Sequence, residues 1–364
     1  MNTLLFTLEY PPFKGGVANY YGNLVKNWPE PANIHVLNNE NNKLIRRHIR
    51  PKWLLAIFVL WLDIYRKKIN HILVGQVLPL GIVAYLVSKF TPVTYSLFFH
   101  GMDFNYALKT KRKKWITEKI IKKSSHIICA SSYTAKLVKN FINSEMPEKI
   151  VVVNPGIDPV ALQALSLAEP KNKIEELRLK HHLENKFILF TVGRLVKRKG
   201  QDMVIKAVNI LNEKMPDLCY YIAGDGPDKD YLKDLAKNNS NIVFLGKITE
   251  EEKSAWLRVC GIFIMPSREI EGDFEGFGIV FLEAALAGKP VLAGRSGGIE
   301  DAVIDYETGI LTDPGSVDDI AGGIVELKNS PMLRMELGEN AIRRTVNEFS
   351  WNKQIIKIFS IITK

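Results

Sequence analysis

The 364-residue chain is too long for one ordinary hydrophobic core and fits two domains of about 150–200 residues. With 46% hydrophobic and 24% charged residues, its composition is that of a soluble globular protein. The net charge of +10 comes from residues 1–165, which hold 22 Lys and Arg against 9 Asp and Glu. This imbalance predicts an anionic partner for the N-terminal half, namely a membrane surface, a phosphorylated lipid or, as the weaker alternative, nucleic acid.

Two features indicate a cytoplasmic protein. Cys129, Cys219 and Cys260 lie far apart and inside or beside apolar runs, which predicts buried thiols in a reducing compartment. The first residues, MNTLLFTLEYPP, lack the basic region and cleavage site of a signal peptide, so we expect them to begin with a buried strand. We therefore expect a cytoplasmic protein, peripheral on the inner face of the cytoplasmic membrane.

Short apolar runs alternate with helical stretches along the chain. Each run is apolar throughout, as expected for parallel sheets that are covered by helices on both faces. The alternation predicts an α/β fold with two doubly wound parallel sheets. The predicted strands are Thr3–Leu8, Ile34–Leu37, Ile72–Val74, Thr94–Phe99, Ile127–Ala130, Ile150–Val153, Phe187–Val192, Tyr220–Ala223, Ile242–Leu245, Ile262–Met265 and Pro290–Ala293.

The stretch NPGIDP at residues 154–159 marks the best domain boundary. We predict an N-terminal Rossmann-like domain over residues 1–165 and a C-terminal one over 166–345, with a linker near 155–185. The final segment, Ser350–Lys364, is predicted to form a helix with Ser350 as its cap and an apolar stripe, and we expect the C-terminal helix, at about residues 346–364, to pack back on the N-terminal domain.

Two loops of the N-terminal half follow predicted strands at their carboxyl ends. Gly15 and Gly16 stand between the first strand and the first helix. A flexible strand–helix turn is enough to explain both glycines. His100 ends the strand Thr94–Phe99, and Asp103 follows it. A lone histidine in a core is more often structural, but ligands of such folds bind at the carboxyl ends of strands, which favours a functional role for His100.

Two basic segments of the same half are candidate contacts for an anionic surface. Residues Lys109–Lys123 hold eight positive charges and one negative, with Trp115 and two isoleucines interleaved. The run Trp53–Leu62 is too short to cross a bilayer, which needs about 20 residues, but its tryptophans and basic flanks suit an interfacial helix. A buried helix and a solvated basic face are the respective alternatives.

In the C-terminal half, the strand Phe187–Val192 runs into GRLVKRKG and then a helix. Positive side chains beside a helix N-terminus favour an anion, so this loop is either a diphosphate clamp or a solvated basic turn. Further along, EGFGIVFLE places Glu275 in a glycine loop and Glu283 in the following helix. At 1.5 Å per residue the two glutamates lie at most roughly 12 Å apart, a span comparable to that from hexose to ribose in a sugar nucleotide. GDGP at residues 224–227 is interpreted as a structural turn.

Together these segments resemble the retaining glycosyltransferases of family 4, whose GT-B fold has two Rossmann-like domains facing across a cleft. The resemblance spans nearly the whole chain and depends most on GRLVKRKGQD, on MPSREIEGDFEGFGIVFLEA and on the spacing of its two glutamates. The second segment is most similar to the phosphatidylinositol mannoside mannosyltransferase branch.

The resemblance implies a nucleotide-diphosphate sugar bound by the C-terminal domain. It assigns the diphosphate to Arg194 and Lys199, the sugar to Glu275 and His100, and the ribose to Glu283. We expect catalytic roles for His100, Glu275, Arg194 and Lys199. The predicted donor-binding residues are Gly15, Gly16, Gly193, Arg194, Lys199, Gly276, Phe277, Gly278, Ile279 and Glu283, with Asp103 and Lys247 as further candidates.

The implied reaction transfers a hexosyl unit with retention of configuration. GDP-mannose is slightly preferred as donor, with UDP-hexoses and UDP-N-acetylhexosamines as alternatives. The expected acceptor is a lipid-linked or cell-surface glycan, such as an O-antigen, lipopolysaccharide or glycolipid precursor. No arrangement of carboxylates or histidines in the sequence demands a metal, so we expect neither metal nor cofactor. The oligomeric state stays open.

Other functions explain fewer of these features. A nucleotide-sugar 2-epimerase shares the fold but gives no reason for the basic N-terminal half. A nucleic-acid-binding protein explains the charge but leaves the paired glutamates without a role. A nicotinamide enzyme is the weakest alternative, because no predicted strand precedes a complete GxGxxG.

Overall fold

The computed structural model of the protein describes residues 1–13, 15–46, 48–143, 146–158 and 171–363, except the side chains of 171–173. The chain divides into two compact units: unit 1 comprises Met1–Gly156 and Trp351–Lys364, and unit 2 comprises Ile157–Ser350. The first division falls at Gly156, ahead of the predicted boundary after residue 165, which lies outside the described residues.

Each unit contains a six-stranded parallel sheet among the described residues. In unit 1 the strand order is β2-β1-β3-β4-β5-β6, and in unit 2 it is β12-β11-β10-β7-β8-β9. The strands of unit 1 are β1 (Thr3–Phe6), β2 (Ile34–Leu37), β3 (His71–Val74), β4 (Thr94–Phe99), β5 (Ile127–Cys129) and β6 (Ile150–Val152). Those of unit 2 are β7 (Phe187–Val192), β8 (Leu218–Ala223), β9 (Ile242–Gly246), β10 (Ile262–Met265), β11 (Val291–Gly294) and β12 (Gly309–Thr312).

Helices connect the strands in both units. Those of unit 1 are α1 (Gly16–Lys26), α2 (Leu54–Lys67), α3 (Leu80–Val87), α4 (Met102–Ala107), α5 (Lys111–Lys123) and α6 (Ser132–Phe141). Those of unit 2 are α7 (Lys171–Lys180), α8 (Gln201–Leu211), α9 (Lys229–Ala236), α10 (Glu250–Val259), α11 (Ile279–Leu286), α12 (Ile299–Ala302), α13 (Val317–Asn329) and α14 (Pro331–Glu348). The last helix, α15 (Trp351–Ile362), returns to unit 1.

The predicted fold class is confirmed, and each predicted strand is present to within two residues at either end. The strand β1 shows the reason, because its successive side chains lie on opposite faces of the sheet. Leu4 and Phe6 belong to one hydrophobic cluster of the first sheet, while Leu5 belongs to the cluster on the other face. Both faces of the sheet are therefore buried, and no polar side chain interrupts the strand.

The C-terminal helix α15 completes the hydrophobic cluster on one face of the first sheet. Its residues Trp351 and Ile355 join Leu5 and Tyr20 there, and the Trp351 ring lies 5.3 Å from that of Tyr20. A β-carbon on Gly156 would stand 2.7 Å from the backbone of Trp351, so the glycine of the NPGID segment allows the helix to approach. The helix begins directly after the predicted cap Ser350, while residues 346–348 belong to α14.

The three cysteines are buried and free, as predicted. No helix within the described ranges combines the length and the hydropathy needed to cross a membrane.

Candidate active site

The basic loop after β7 is held by glycine at its end. Gly200 has φ of +76° and starts α8, and a β-carbon there would lie 2.1 Å from the carbonyl oxygen of Pro266. Only glycine fits this close approach. The loop is also anchored by Leu195, whose side chain is buried. As a result Lys197, Arg198 and Lys199 form one short turn at the carboxyl end of the sheet.

Four charged side chains, named the ion cluster here, meet beside this turn: Arg198, Lys199, Asp273 and Glu275. Oε2 of Glu275 accepts from Lys199 Nζ at 2.5 Å and from Arg198 Nη1 at 2.9 Å. Nε of Arg198 lies 2.9 Å from Oδ1 of Asp273. The side chain of Glu275 is only 13% exposed. Burial alone would raise the pKa of Glu275, but the positive charges of Lys199 and Arg198 outweigh it and lower that pKa. Glu275 is therefore an ionised carboxylate.

Gly297 and Gly298 both contact the backbone carbonyl group of Glu275. Gly298 N donates to the carbonyl oxygen of Glu275 at 2.8 Å. Gly297 has φ of +59°, and a β-carbon on it would stand 2.6 Å from the same oxygen. The two loops that follow β10 and β11 thus meet at the position of Glu275.

A second buried ion pair holds the basic turn in place, and sequence reasoning left both of its members without a role. Arg268 N donates to the carbonyl oxygen of Arg198 at 2.7 Å, and Nη2 of Arg268 donates to Oδ2 of Asp202 at 2.7 Å. Asp202 lies in the first turn of α8, three residues after Lys199. A charged pair 66 residues apart in the chain leaves no local sequence signal.

The glycine loop after Glu275 leads directly into a helix N-terminus. Gly278 has φ of +89° and is the N-cap of α11, whose first residue is Ile279. The first backbone N–H groups of a helix have no partner within it and favour an anion. Phe277 is buried, and its ring packs 5.6 Å from that of Phe349, so any ligand contact of Phe277 is limited to its backbone. Gly276 lies between these groups and is partly exposed.

The second glutamate of the pair has a partner that the sequence did not suggest. Oε1 of Glu283 accepts from Lys253 Nζ at 2.9 Å, and Lys253 also contacts Glu250 at 2.6 Å. Burial would lower the pKa of Lys253, but the two glutamates outweigh it and raise that pKa. Glu283 is thus a largely buried hydrogen-bond acceptor on the side of α11 that faces α10.

The remaining predicted donor residues of unit 2 occupy the surface of the same sheet edge. Arg194 is exposed, and its carbonyl oxygen accepts from the Gln201 side chain at 3.3 Å. Gly193 N donates to the carbonyl oxygen of Ala223. Lys247 is 82% exposed and lies 3.7 Å from Asp225. Of the four unit 2 side chains assigned to the donor, Lys199 and Glu275 are in contact, whereas Glu283 is bound by Lys253 and Arg194 is exposed.

The GDGP turn is structural, as interpreted from the sequence. Gly224 has φ of +133°, and a β-carbon there would lie 1.8 Å from the carbonyl oxygen of Gly193. One on Gly226 would lie 2.2 Å from that of Leu195. These glycines let the turn pack against the basic loop and leave no space for a phosphate at those positions.

In unit 1, His100 follows β4 and lies among aromatic rings. Its ring centroid is 4.9 Å from Tyr20 and 5.4 Å from Tyr21, both edge-to-face, and it stacks on Phe98 at 6.2 Å. Nε2 of His100 lies 2.9 Å from Oη of Tyr21. Burial lowers the pKa of His100 to about 4, so the imidazole is neutral at physiological pH.

Asp103 braces the backbone of His100. Its Oδ1 accepts from His100 N at 3.0 Å and from Gly101 N at 2.9 Å. Burial raises the pKa of Asp103 to about 6, against the lowering effect of these hydrogen bonds. Oδ2 is buried and has no hydrogen-bond partner among the described residues. Its main role is therefore to fix the turn that carries His100.

The glycine loop before α1 is open. Gly15 is the N-cap of α1 in an extended conformation, and a β-carbon on Gly16 would meet nothing within 4 Å. Tyr20 and Tyr21, which surround His100, lie in the first two turns of this helix. The loop and His100 are thus tied to each other through α1.

The basic segment Lys109–Lys123 and the apolar run Trp53–Leu62 both form half-buried helices. On α2 an exposed row of apolar and aromatic side chains, the aromatic stripe, comprises Leu54, Phe58, Trp61 and Tyr65. Their spacing of four, three and four residues places them on one helix face. On α5, Trp115 is 57% exposed, with Lys119 Nζ 3.9 Å from its ring centroid. Each of the two helices has one buried face, which packs on the sheet, and one exposed face. A buried helix and a surface helix were the alternatives, and each describes one side of the observed helix.

No group of three or more His, Cys, Asp or Glu side chains that could hold a metal ion occurs among the described residues. That the reaction needs neither metal nor cofactor stays a prediction. A cavity of about 710 Å³ in unit 2 is lined by Arg295 and five carboxylates, and it contains none of the predicted site residues.

Comparison with known proteins identifies related chains across both units. A family model described as glycosyl transferases group 1 matches residues 173–344, and one described as glycosyltransferase family 4 matches residues 14–160. An uncharacterized glycosyltransferase of Methanocaldococcus jannaschii is 27% identical over 374 residues, covering 98% of this chain and 97% of the relative.

A GDP-mannose-dependent monoacylated alpha-(1-6)-phosphatidylinositol monomannoside mannosyltransferase of Corynebacterium glutamicum is also 27% identical, over 368 residues, covering 96% of this chain and 94% of the relative. Among solved structures, that of HepE from Anabaena in complex with UDP has a TM-score of 0.80 at 19% identity, with 100% of both chains covered.

Proposed function

The chain belongs to family 4 of the glycosyltransferases and has their GT-B fold, and from this premise we propose that it transfers a hexosyl unit with retention from a nucleotide-diphosphate sugar to a lipid-linked or cell-surface glycan. The observation that carries the proposal is the ion cluster beside the N-terminus of α11. It presents two cations and an ionised carboxylate next to the first turn of α11, whose backbone amides favour an anion. This is the set of groups that a diphosphate attached to a sugar requires.

The diphosphate binds where cations and helix amides converge. Lys199 is paired with Glu275, and Arg194 is exposed. A diphosphate competes for Lys199, because it carries more charge than one carboxylate. Arg198 keeps its bonds to Glu275 and Asp273, so the carboxylate stays ionised after Lys199 turns to the phosphate. Glu275 then accepts hydrogen bonds from sugar hydroxyls.

The transfer itself breaks the bond between the anomeric carbon and the diphosphate oxygen and forms a bond to the acceptor oxygen on the same face. The proton of the acceptor hydroxyl passes to the departing diphosphate. Arg194, Lys199 and the amides of α11 stabilise the charge that grows on the diphosphate. Each well-placed donor of this type contributes about 3–4 kcal/mol to lowering the barrier. Glu283, held by Lys253, accepts from the ribose hydroxyls. In this reaction no metal or cofactor is needed.

GDP-mannose is the preferred donor in this proposal. The Corynebacterium relative is named as GDP-mannose-dependent and aligns along nearly the whole chain. UDP-hexoses and UDP-N-acetylhexosamines are the alternatives, since solved structures of the Anabaena protein contain UDP and UDP-glucose. The acceptor is an O-antigen, lipopolysaccharide or glycolipid precursor.

The acceptor is met at an anionic membrane surface. The aromatic stripe of α2 exposes rings that suit the headgroup region, with Phe58 61% and Trp61 42% exposed. The cationic face of α5 adds attraction to anionic lipids, and its exposed Trp115 gives it an apolar contact. We propose peripheral binding on the inner face of the cytoplasmic membrane through these two helices.

A panel of nucleotide sugars tests the donor site. Each is scored for slow hydrolysis in the absence of acceptor and for protection against thermal unfolding. We expect GDP-mannose to be hydrolysed and to raise the melting temperature more than GDP does. A protein that neither hydrolyses nor is protected by any member of the panel would contradict the proposed function. Donor conversion to an epimer without transfer would favour the epimerase instead.

Liposome flotation tests the membrane surface. The protein should bind vesicles that contain anionic lipid at low salt and lose most of that binding in neutral vesicles. The pair Phe58→Ser and Trp61→Ser should weaken binding at least roughly tenfold, since two interfacial rings are lost. Met332→Ser with Met335→Ser is the matched control, because it removes two exposed apolar side chains from unit 2. Anionic liposomes that fail to retain the protein at low salt would refute membrane docking, and salt-sensitive binding of oligonucleotides alone would favour nucleic acid.

A further inference from the structure

His100 has one ring nitrogen whose partner is fixed by the fold. Nε2 lies 2.9 Å from Oη of Tyr21, and the same Oη lies 2.8 Å from the carbonyl oxygen of Gly75. Tyr21 and Gly75 are pressed together, since a β-carbon on Gly75 would stand 3.0 Å from the Tyr21 ring. The hydroxyl of Tyr21 is therefore held between a carbonyl and an imidazole.

Counting hydrogens at this hydroxyl determines the form of the imidazole. A tyrosine hydroxyl has one hydrogen, and a carbonyl oxygen can only accept. The hydrogen of Tyr21 is therefore donated to Gly75, and the bond to His100 forms only if Nε2 carries a hydrogen and donates it. Because the ring is neutral, its second nitrogen, Nδ1, has no hydrogen and presents a lone pair.

The lone pair is presented on a partly exposed side chain. His100 stands at the carboxyl end of β4, and Nδ1 has no hydrogen bond to any of the described residues. The rings of Tyr20, Tyr21 and Phe98 restrict rotation of the imidazole. A fixed, neutral acceptor suits a hydroxyl group and repels a carboxylate.

We propose that Tyr21 is a positioning residue that fixes His100 in the Nε2–H form, so that Nδ1 accepts a hydrogen bond from a hydroxyl of the donor sugar and the enzyme selects neutral hexoses over hexuronates. The inference rests on the proposed function, with His100 as the donor-sugar contact that the family resemblance implies. Tyr21 touches no substrate and acts only through the imidazole. A hexuronate carries a carboxylate in place of the hydroxymethyl group of the corresponding hexose.

The test combines a spectroscopic readout with a selectivity ratio. Nitrogen-15 NMR of histidine-labelled protein reports which ring nitrogen carries the hydrogen, and the His100→Gln spectrum identifies the His100 signals among those of the seven histidines. In the wild type we expect a protonated Nε2 and an unprotonated Nδ1. In Tyr21→Phe we expect a mixture of both forms, because the acceptor that selected Nε2–H is gone.

The kinetic measurement uses matched donors that differ only in the carboxylate, namely GDP-mannose with GDP-mannuronate and UDP-glucose with UDP-glucuronate. The wild type should turn over the neutral sugar at least about tenfold faster, which is roughly 1.4 kcal/mol in barrier. Tyr21→Phe should lower the turnover of the neutral-sugar donor and bring the ratio of neutral-sugar to hexuronate turnover closer to one. Tyr20→Phe is the matched control, since its ring also packs on His100 and its hydroxyl makes no bond to the imidazole.

Three outcomes would overturn the inference: a wild-type Nδ1 that is protonated, an unchanged tautomer in Tyr21→Phe, or equal turnover of hexose and hexuronate donors. If the tautomer is unchanged in Tyr21→Phe but turnover is lost, the role of Tyr21 is merely structural. A wild type that turns over no nucleotide sugar contradicts the proposed function, and the NMR spectra then decide the tautomer independently.

Discussion

His100 in unit 1 and Glu275 in unit 2 are two largely enclosed titratable groups that the fold holds in opposite charge states. His100 stands among aromatic rings and one tyrosine hydroxyl, and burial keeps it neutral. Glu275 is equally enclosed but receives two cations on one oxygen, and it stays charged. Burial alone therefore does not decide the charge of a site residue, since the nearest partner does.

The difference matches the chemistry proposed for each place. A neutral acceptor can recognise a hydroxyl without attracting counterions. An ionised carboxylate paired with Lys199 can release that lysine to a phosphate, because Arg198 remains to balance its charge. The ion cluster is thus prepared to exchange partners, whereas the aromatic surroundings of His100 resist change.

Removing both cations of the ion cluster should have the largest effect on stability. Arg198→Met with Lys199→Met leaves the Glu275 carboxylate buried without a counter-charge, which should lower the free energy of unfolding by about 3 kcal/mol. The value is at the lower end for broken buried pairs, because Glu275 retains slight exposure. Urea-induced unfolding followed by circular dichroism measures it.

Adding Glu275→Gln to that double variant is the critical control. The triple variant has no buried charge at this position and should recover most of the lost stability. A triple variant as unstable as the double would show that the cations serve loop packing and not charge balance. That result would break the contrast with His100.

Lowering the pH should decrease the free energy of unfolding, because His100 is neutral in the folded protein. Its folded pKa of about 4 lies below the usual 6.5, so the unfolded chain binds the proton first as the pH falls. The stability from this group is fully present above pH 6.5 and is lost as the pH falls through about 4. The expected loss is about 3 kcal/mol relative to a variant without the histidine.

His100→Gln provides the reference for that measurement, since its amide N–H can still donate to Tyr21. Asp103, whose raised pKa acts in the opposite direction, is present in both proteins and cancels in the difference. The measurement is the free energy of unfolding from pH 7 to pH 4 in both. Parallel curves would mean that His100 is not held neutral.

Single substitutions of charged site residues in unit 2 should lower the activity. Glu275→Gln and Arg194→Ala should each lower turnover at least about tenfold, roughly 1.4 kcal/mol in barrier, and leave the fold intact. Steady-state rates with the best donor of the panel measure the loss. Lys237→Met is a control for surface charge, because its pair with Asp234 is exposed and remote from the site residues in sequence. Wild-type rates in both site variants would mean that the site is misplaced.

The sequence predicted most of the fold because parallel strands buried on both faces are continuous apolar runs. The strand Thr94–Phe99 was predicted with its observed bounds for this reason. The strand β12 (Gly309–Thr312) was missed, since four residues that begin with glycine and end with threonine resemble a loop. Length of the apolar run was the deciding signal.

The sequence names candidate residues where a short segment contains them and misses contacts between distant segments. Glu275 and Lys199 were named from local motifs, and the structure brings their side chains into contact, while their roles stay predictions. The sequence could not show that Lys253 holds Glu283, or that Arg268 holds the turn of Arg198 through Asp202, because these contacts depend on how helices and loops pack. Tyr21 was missed for a different reason, since a tyrosine at a helical core spacing gives no sign that its hydroxyl meets an imidazole.

The C-terminal helix α15 has a consequence for synthesis of the protein. Its residues Trp351 and Ile355 complete the hydrophobic face of the first sheet, although some 190 residues of unit 2 are translated in between. A ribosome therefore delivers the strands of unit 1 before unit 2, and the helix that covers them after it. Unit 2 can fold as soon as its own chain emerges, whereas Tyr20 and Leu5 of the nascent first sheet stay uncovered until α15 has been translated. Premature termination near residue 350 would thus damage the part of the protein that was made first.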